Sequence, residues 1–304
     1  MDRELYNPHL RTKKTTAGIM GDVCLALVPA GIGAVVFFGI QALLLITVSV
    51  CTCILAEALW QILHHKTVTI RDYSAIVTGI LIAFNVSSTT PIWVIILADI
   101  FAIIVVKQIF GGIGSNVFNP ALVGRLFIML VYPAKMMSYV MPMDVDTVAG
   151  ATVLSNIKHG GEAGFSLMDA FLGKIPGALG ETSALLLLIG FAYLVIKKEV
   201  NVMVSLSFFA TVLLLTVIAG QDPLYHLFSG GLILGGCFML TDYNFASRKG
   251  NWILGVLAGA IVVVMRVLGS FPEGVCYAIL IVNCMSVLLE QLKQKHIYGM
   301  EEGR

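Results

Sequence analysis

Two carboxylates, Glu57 and Asp99, lie within strongly apolar stretches of this chain, with Asp22 at the start of the first such stretch and Asp242 at the broken end of the eighth. A charge at membrane depth is costly, so a residue of this kind pairs, faces a cavity, or carries protons or cations. Asp22 and Glu57 stand near the ends of their apolar runs, where a Lys or Arg partner would explain them. Asp99 is mid-run; either a neutral acid hydrogen-bonded to a neighbour or a place on an ion path accounts for it. Asp99, Glu57 and Asp242 are therefore the candidate ion-path residues. Two amides, Asn116 and Asn119, precede Pro120 and would share a face if helical. They either satisfy backbone that Pro120 disrupts or offer donor and acceptor edges to a heterocyclic ring; the residues alone favour the first. In "DVDTVAGATVLS", Asp144 to Ser155, the hydroxyl of Thr152 follows Gly150 and Ala151; such a loop threonine is ordinarily a turn or cap residue.

Other chemistries lack their residues. There is no GxSxG, Walker lysine, HExxH or strand-borne GxGxxG, so no catalytic residue is assigned. The six cysteines sit in apolar runs, and Cys51 and Cys53 lack the spacing of a zinc or iron–sulfur loop; they read as small buried hydrophobes, and no metal site is expected.

The elements that position these residues are membrane helices. The chain is 58% hydrophobic and 12% charged over 304 residues, with a net charge of +1, against about 25% charge in an average soluble domain. The expected solvent is a lipid bilayer, and no basic face exists for a nucleic acid. Apolar runs fall at 20–39, 41–63, 73–88, 91–110, 119–133, 182–196, 200–219, 224–240, 252–269 and 274–292. The predicted fold is an all-α polytopic membrane protein of about ten transmembrane helices. With the N-terminus inside, fourteen Lys and Arg fall on the inner side, and only Lys135, Lys158 and Lys174 fall outside. That bias places both termini in the cytoplasm and the loop with Thr152 outside. Glycine-rich, polar interruptions at 110–127 and 228–247 occur one in each half, a pattern expected of inverted repeats with broken helices; ordinary small-residue packing is the alternative. The expected units are a cytoplasmic tail at 1–18, a first five-helix repeat at 19–133, an extracytoplasmic loop at 134–181, a second repeat at 182–292 and a cytoplasmic tail at 293–304.

Three stretches together, "VVKQIFGGIGSNVFNPALVGRLF", "DTVAGAT" and "SGGLILGGCFMLTDYNFAS", resemble the D-subunit family of the Rnf complex, an ion-translocating ferredoxin:NAD⁺ oxidoreductase. The likeness runs from the first apolar run to the last. More distantly the chain is similar to the B subunit of the Na⁺-pumping NADH:quinone reductase. The resemblance implies FMN bound covalently, by a phosphoester, to the last threonine of a D-x-x-[ST]-G-A-T motif, a bond made by an extracytoplasmic flavin transferase. Asp146, Gly150, Ala151 and Thr152 match that motif, and Ala149 departs from it. It also implies a non-covalent riboflavin near Asn116 and Asn119, two inverted five-helix repeats resembling a urea transporter, and a bacterial inner-membrane location. The implied partners are the other Rnf subunits, which would hold the iron–sulfur centres and further flavins, and Na⁺ or H⁺ is the coupling ion. A solute channel without redox function would explain the broken helices but not the external "DTVAGAT".

Overall fold

A computed structural model describes residues 15–136, 138–149, 153–158, 164–181, 183–241, 252–269 and 274–297. Helix α1 (Thr16–Phe38) opens on Thr15, whose hydroxyl accepts the Gly18 N–H at 3.2 Å, satisfying one of the donors a helix start leaves over. Gly39, at φ 69°, ends α1 and begins α2 (Ile40–Leu63); a side chain is disfavoured there by backbone conformation alone. These two helices are long and apolar enough to cross a bilayer.

The third predicted span is shorter than its sequence suggested. Helix α3 (Ser74–Phe84) has 11 residues, about 16 Å of rise against a hydrocarbon core of about 30 Å. It gives way to an irregular stretch whose Ser87, Ser88 and Thr90 are all buried. Helix α4 (Ile92–Phe101) continues without a break into a π-wound segment (Ala102–Gln108). Glycines at positive φ (Gly111, Gly112 and Gly114) then carry the chain to α5 (Pro120–Val131). The interruption expected at 110–127 is thus the connection between α4 and α5, and the buried break in the first half lies at 85–91 instead. Its run of polar residues, "NVSSTTP", was the signal.

The segment expected as a plain loop has structure of its own. After the short α6 (Pro133–Met136), strands β1 (Tyr139–Met141) and β2 (Asp144–Ala149) pair antiparallel, and α7 (Val153–Lys158) and α8 (Leu167–Leu172) follow. The second half comprises α9 (Ala184–Lys197), α10 (Val202–Ile218), α11 (Pro223–Phe228), α12 (Leu232–Leu234) with its π continuation (Gly235–Met239), α13 (Trp252–Val267) and α14 (Val275–Ile297). The predicted span at 224–240 is therefore broken, at Gly230 and Gly231, both at φ 68°.

Small residues bring the helices together, as expected where lipid removes a hydrophobic drive between them. A Cβ on Gly190 of α9 would collide with the Ala26 carbonyl of α1. Gly255 and Gly259 of α13 face Val204, Ser207, Phe208 and Thr211 of α10, and a Cβ on Gly259 would sit 2.9 Å from the Phe208 oxygen. Gly255→Leu is expected to destabilise the protein by roughly 1–3 kcal/mol through overpacking, measurable as earlier thermal loss of the monodisperse detergent-solubilised species. The outward face is apolar: Leu25, Ile32, Val36, Ile196 and Leu268 are 60–80% exposed. A belt of that kind on apolar helices is the surface of a membrane protein.

Candidate functional site

Of the residues that match the flavin motif, Gly150, Ala151 and Thr152 lie outside the described residues, as does Asp242. Asp146 is in the middle of β2. In the sequence Thr152 directly precedes α7, which starts at Val153, and β2 ends at Ala149. Beside α7 is a hollow lined by Leu154, Ile157 and Lys158 of that helix together with Gln221, His226 and Arg266. Arg266 organises it from α13, donating to the carbonyls of His226 at 2.5 Å, Ser229 at 3.0 Å and Gly230 at 3.3 Å. His226 lies in the last turn of α11 and Ser229 is its C-cap, where a helix end leaves carbonyls without helical partners. Lys158 donates to the Gly269 carbonyl at the rim. The His226 imidazole is buried, and neither ring nitrogen has a hydrogen-bond partner among the described residues; the same is true of Gln221 Oε1. Sequence reading passed over His226, although a lone imidazole in an apolar run is itself a signal.

Two of the ion-path candidates meet on one seam between α2 and α4. Ser49, Cys53, Glu57 and Gln61 recur every fourth residue on α2 and so share a stripe. Glu57 is almost wholly buried (1% exposed) and pairs with Lys107, itself buried, at 2.6 Å. The carboxylate is fully served: Gln108 Nε2 donates to Oε1 at 2.9 Å and Gln61 Nε2 at 3.3 Å. Lys107 also donates to Ser74 Oγ at 2.6 Å, and that hydroxyl meets Asp72 at 2.5 Å. Lys107 and Gln108 are consecutive, yet both reach one carboxylate. The i→i+5 bonds that end the segment, Ile109 N–H to Ile104 O at 3.0 Å and Gly112 N–H to Lys107 O at 2.9 Å, mark the wider turn that allows it. Lys107, counted from sequence as an inner loop charge, is an interior one.

Further along the stripe, Asp99 of α4 is fully buried, with Ser49 Oγ 2.8 Å from its Oδ1. Asp22 carries the role foreseen for an edge carboxylate. It accepts from Tyr193 at 2.6 Å and lies 3.5 Å from Lys197, tying α1 to α9.

Asn119 is the N-cap of α5: its Oδ1 accepts from Ala121 N at 3.0 Å and Leu122 N at 3.4 Å, with Pro120 in the first turn. Asn116 Nδ2 donates to the Phe118 carbonyl at 2.9 Å. These are the backbone roles the residues alone favoured. With its amide turned to satisfy both neighbours, Asn283 of α14 accepts from the Asn119 N–H at 3.0 Å, so the cap also joins the two halves. Among the described residues no group of three or more His, Cys, Asp or Glu could hold a metal.

The chain matches the NQR2, RnfD, RnfE family over residues 5–299. It is 40% identical over 299 residues to the D subunit of the Na⁺-translocating ferredoxin:NAD⁺ oxidoreductase complex of Acetobacterium woodii, covering 97% of this chain and 94% of that one. To the D subunit of the proton-translocating ferredoxin:NAD⁺ oxidoreductase complex of Clostridium ljungdahlii it is 34% identical, covering 96% and 95%. To the D subunit of the ion-translocating oxidoreductase complex of Stutzerimonas stutzeri it is 32% identical, covering 92% and 91%. A match that spans both long helices, the β2–α7 segment and the buried Glu57–Lys107 pair is a match of the whole molecule: this chain belongs to the NQR2, RnfD, RnfE family, on its RnfD side.

Proposed function

We propose that this chain is the membrane electron-carrying subunit of an ion-translocating ferredoxin:NAD⁺ oxidoreductase, with FMN attached to Thr152 by a phosphoester. The observation that carries the reading is 40% identity over 97% of the chain to a protein named for that complex. The relatives' names differ in the ion moved, sodium in one and protons in another, so the names do not choose between Na⁺ and H⁺ for this chain.

The chemistry of the residues beside α7, the helix that follows Thr152 in sequence, suits the phosphate of such a cofactor. A phosphoester is anionic, and Lys158 and Arg266 bring positive charge to the hollow beside α7. His226 and Gln221 offer the hollow a donor or acceptor that the protein does not use. When bound to the chain, the flavin would supply one- and two-electron chemistry. The chain's own part is to hold it at the rim, orient it and set the polarity around it. Asp146, Gly150 and Ala151 complete the attachment motif, and an extracytoplasmic flavin transferase is the enzyme that would recognise it.

The wider reading follows from the same assignment. The two halves are proposed as inverted repeats of a urea-transporter-like fold in a bacterial inner membrane, with both termini cytoplasmic and residues 134–181 outside. One pairing supports the repeat: Ser49 of α2 donates to the Gly79 carbonyl of α3, and Ser205 of α10 donates to the Gly236 carbonyl of the second π segment, both at 2.8 Å. A riboflavin near Asn116 and Asn119 remains part of the proposal, although both amides already serve the local backbone. Ion movement is proposed along a path with Glu57, Asp99 and Asp242. Electrons would arrive from and leave to other Rnf subunits that hold the iron–sulfur and nicotinamide-facing centres.

The test of class is visible absorbance of the purified chain, made together with a flavin transferase. A flavin spectrum is expected; a colourless chain would return it to the solute transporters.

A further inference from the structure

The Asp99 site has more acceptors than its hydrogens can serve. Ser49 Oγ lies 2.8 Å from Asp99 Oδ1 and 2.8 Å from the Gly79 carbonyl. A hydroxyl has one proton, so it can donate to one of these oxygens only. If it donates to Gly79, as Ser205 does to Gly236 in the other half, then Asp99 must hold the proton in the second contact and donate it to Ser49. Asp99 Oδ2 has no hydrogen-bond partner among the described residues, and the side chain is fully buried. An ionised carboxylate in that position would leave a charge with only the Ser49 hydroxyl and the weak Cys53 thiol to donate to it, which low-dielectric surroundings penalise heavily.

A metal cation is a poorer occupant than a proton. A bare cation needs a shell of oxygens to replace its hydration, and the seam presents Asp99, one hydroxyl and one carbonyl, with the thiol of Cys53 against the carboxyl. The other ionisable groups that act on this contact, through Cys53, are Glu57 of α2 and Lys107 of the π segment. Glu57 and Lys107 neutralise each other. Among the described residues, no neighbouring cation on the seam therefore pairs with Asp99.

We propose that Asp99 is a proton-binding site in the membrane interior of this protein, switched by rotation of the Ser49 hydroxyl. In the loaded state the Asp99 O–H donates to Ser49 Oγ, and the Ser49 O–H donates to the Gly79 carbonyl. In the unloaded state the carboxyl O–H bond has broken, its proton has passed to a water molecule and on to the aqueous phase, and Asp99 is left as the carboxylate. The Ser49 O–H then turns to donate to Asp99, while the Gly79 carbonyl keeps its place in the α3 ladder. No electron moves within the site. Release and uptake follow the charge on the complex's electron carriers, so this inference rests on the electron-carrier reading above. Two helical turns along the stripe, the Gln61–Glu57–Lys107–Ser74–Asp72 network leads from the seam to the α2–α3 connection.

The experiment is reduced-minus-oxidised infrared difference spectroscopy on the intact membrane complex, with visible absorbance of the flavins recorded on the same sample. The wild type is expected to show a C=O band of a protonated carboxyl that changes on reduction. Asp99→Asn should abolish that band, and Ser49→Ala, which keeps the acid but removes its acceptor, should shift it. Flavin bleaching without an Asp99-dependent band, or with a band that ignores reduction or appears only with sodium, overturns the proton site and leaves the electron-carrier reading standing. A sample with no flavin to bleach overturns both.

Discussion

In Thr152→Ala, the denatured chain is expected to lose its in-gel flavin fluorescence completely, while Thr152→Ser keeps it. The argument is chemical. The proposed phosphoester needs a side-chain hydroxyl, and alanine has none, whereas serine presents the same oxygen one methyl group lighter. The neighbouring hydroxyls are held by other elements, Thr147 within β2 and Ser155 within α7. Thr152 falls between those elements, after Gly150 and Ala151, where little side-chain bulk shields it. Since Thr152→Ala removes only a hydroxyl and a methyl group, the variant should accumulate like wild type. A fluorescent band that persists in Thr152→Ala would mean that another hydroxyl carries the cofactor, and Ser155 would be the next to replace.

The second large effect is expected from the buried ion pair. Replacing Lys107 by Met leaves Glu57 charged, 1% exposed and short of its closest donor. Breaking a buried pair from one side costs roughly 3–5 kcal/mol, a large part of the about 5–15 kcal/mol that holds a typical domain folded. Lys107→Met and Glu57→Leu should therefore each accumulate poorly in the membrane and unfold early in detergent. The double variant, with no charge left unpaired, should recover most of the stability. If the single variants are as stable as wild type, the pair is not buried as described. If the double variant is stable yet the complex no longer couples electron flow to ion movement, the pair serves transport as well as folding.

Much of this organisation was legible in the sequence because bilayer burial writes long signals. Helices stand at each of the predicted apolar runs, and Asp22 found the partner expected of an edge carboxylate, Lys197. Asn119 did what an amide before Pro120 does most easily, capping α5. What was not legible depends on contacts between distant segments. The end of α3 at Phe84 was hidden because the apolar pattern of 73–88 runs on through Val86, and only tertiary burial shows that Ser87, Ser88 and Thr90 line an irregular break. The π winding of 102–108 has no local signature, so Lys107 read as a surface charge when the wider turn aims it at Glu57. His226 and Arg266 stand in two separate apolar runs and drew no reading from the sequence; they become one site only when α11 and α13 pack beside α7. The hairpin of β1 and β2 was missed because strands of three and six residues give too short an alternation to read.

The central claim is that a flavin is bonded to one hydroxyl between β2 and α7, and the most direct measurement is the mass of the proteolytic peptide spanning 144–158. From the chain made with its transferase, this peptide is predicted to carry the added mass of one FMN less one water, with fragmentation placing it on Thr152. A peptide with the mass of its amino acids alone, from a sample in which the transferase is active, would contradict the account.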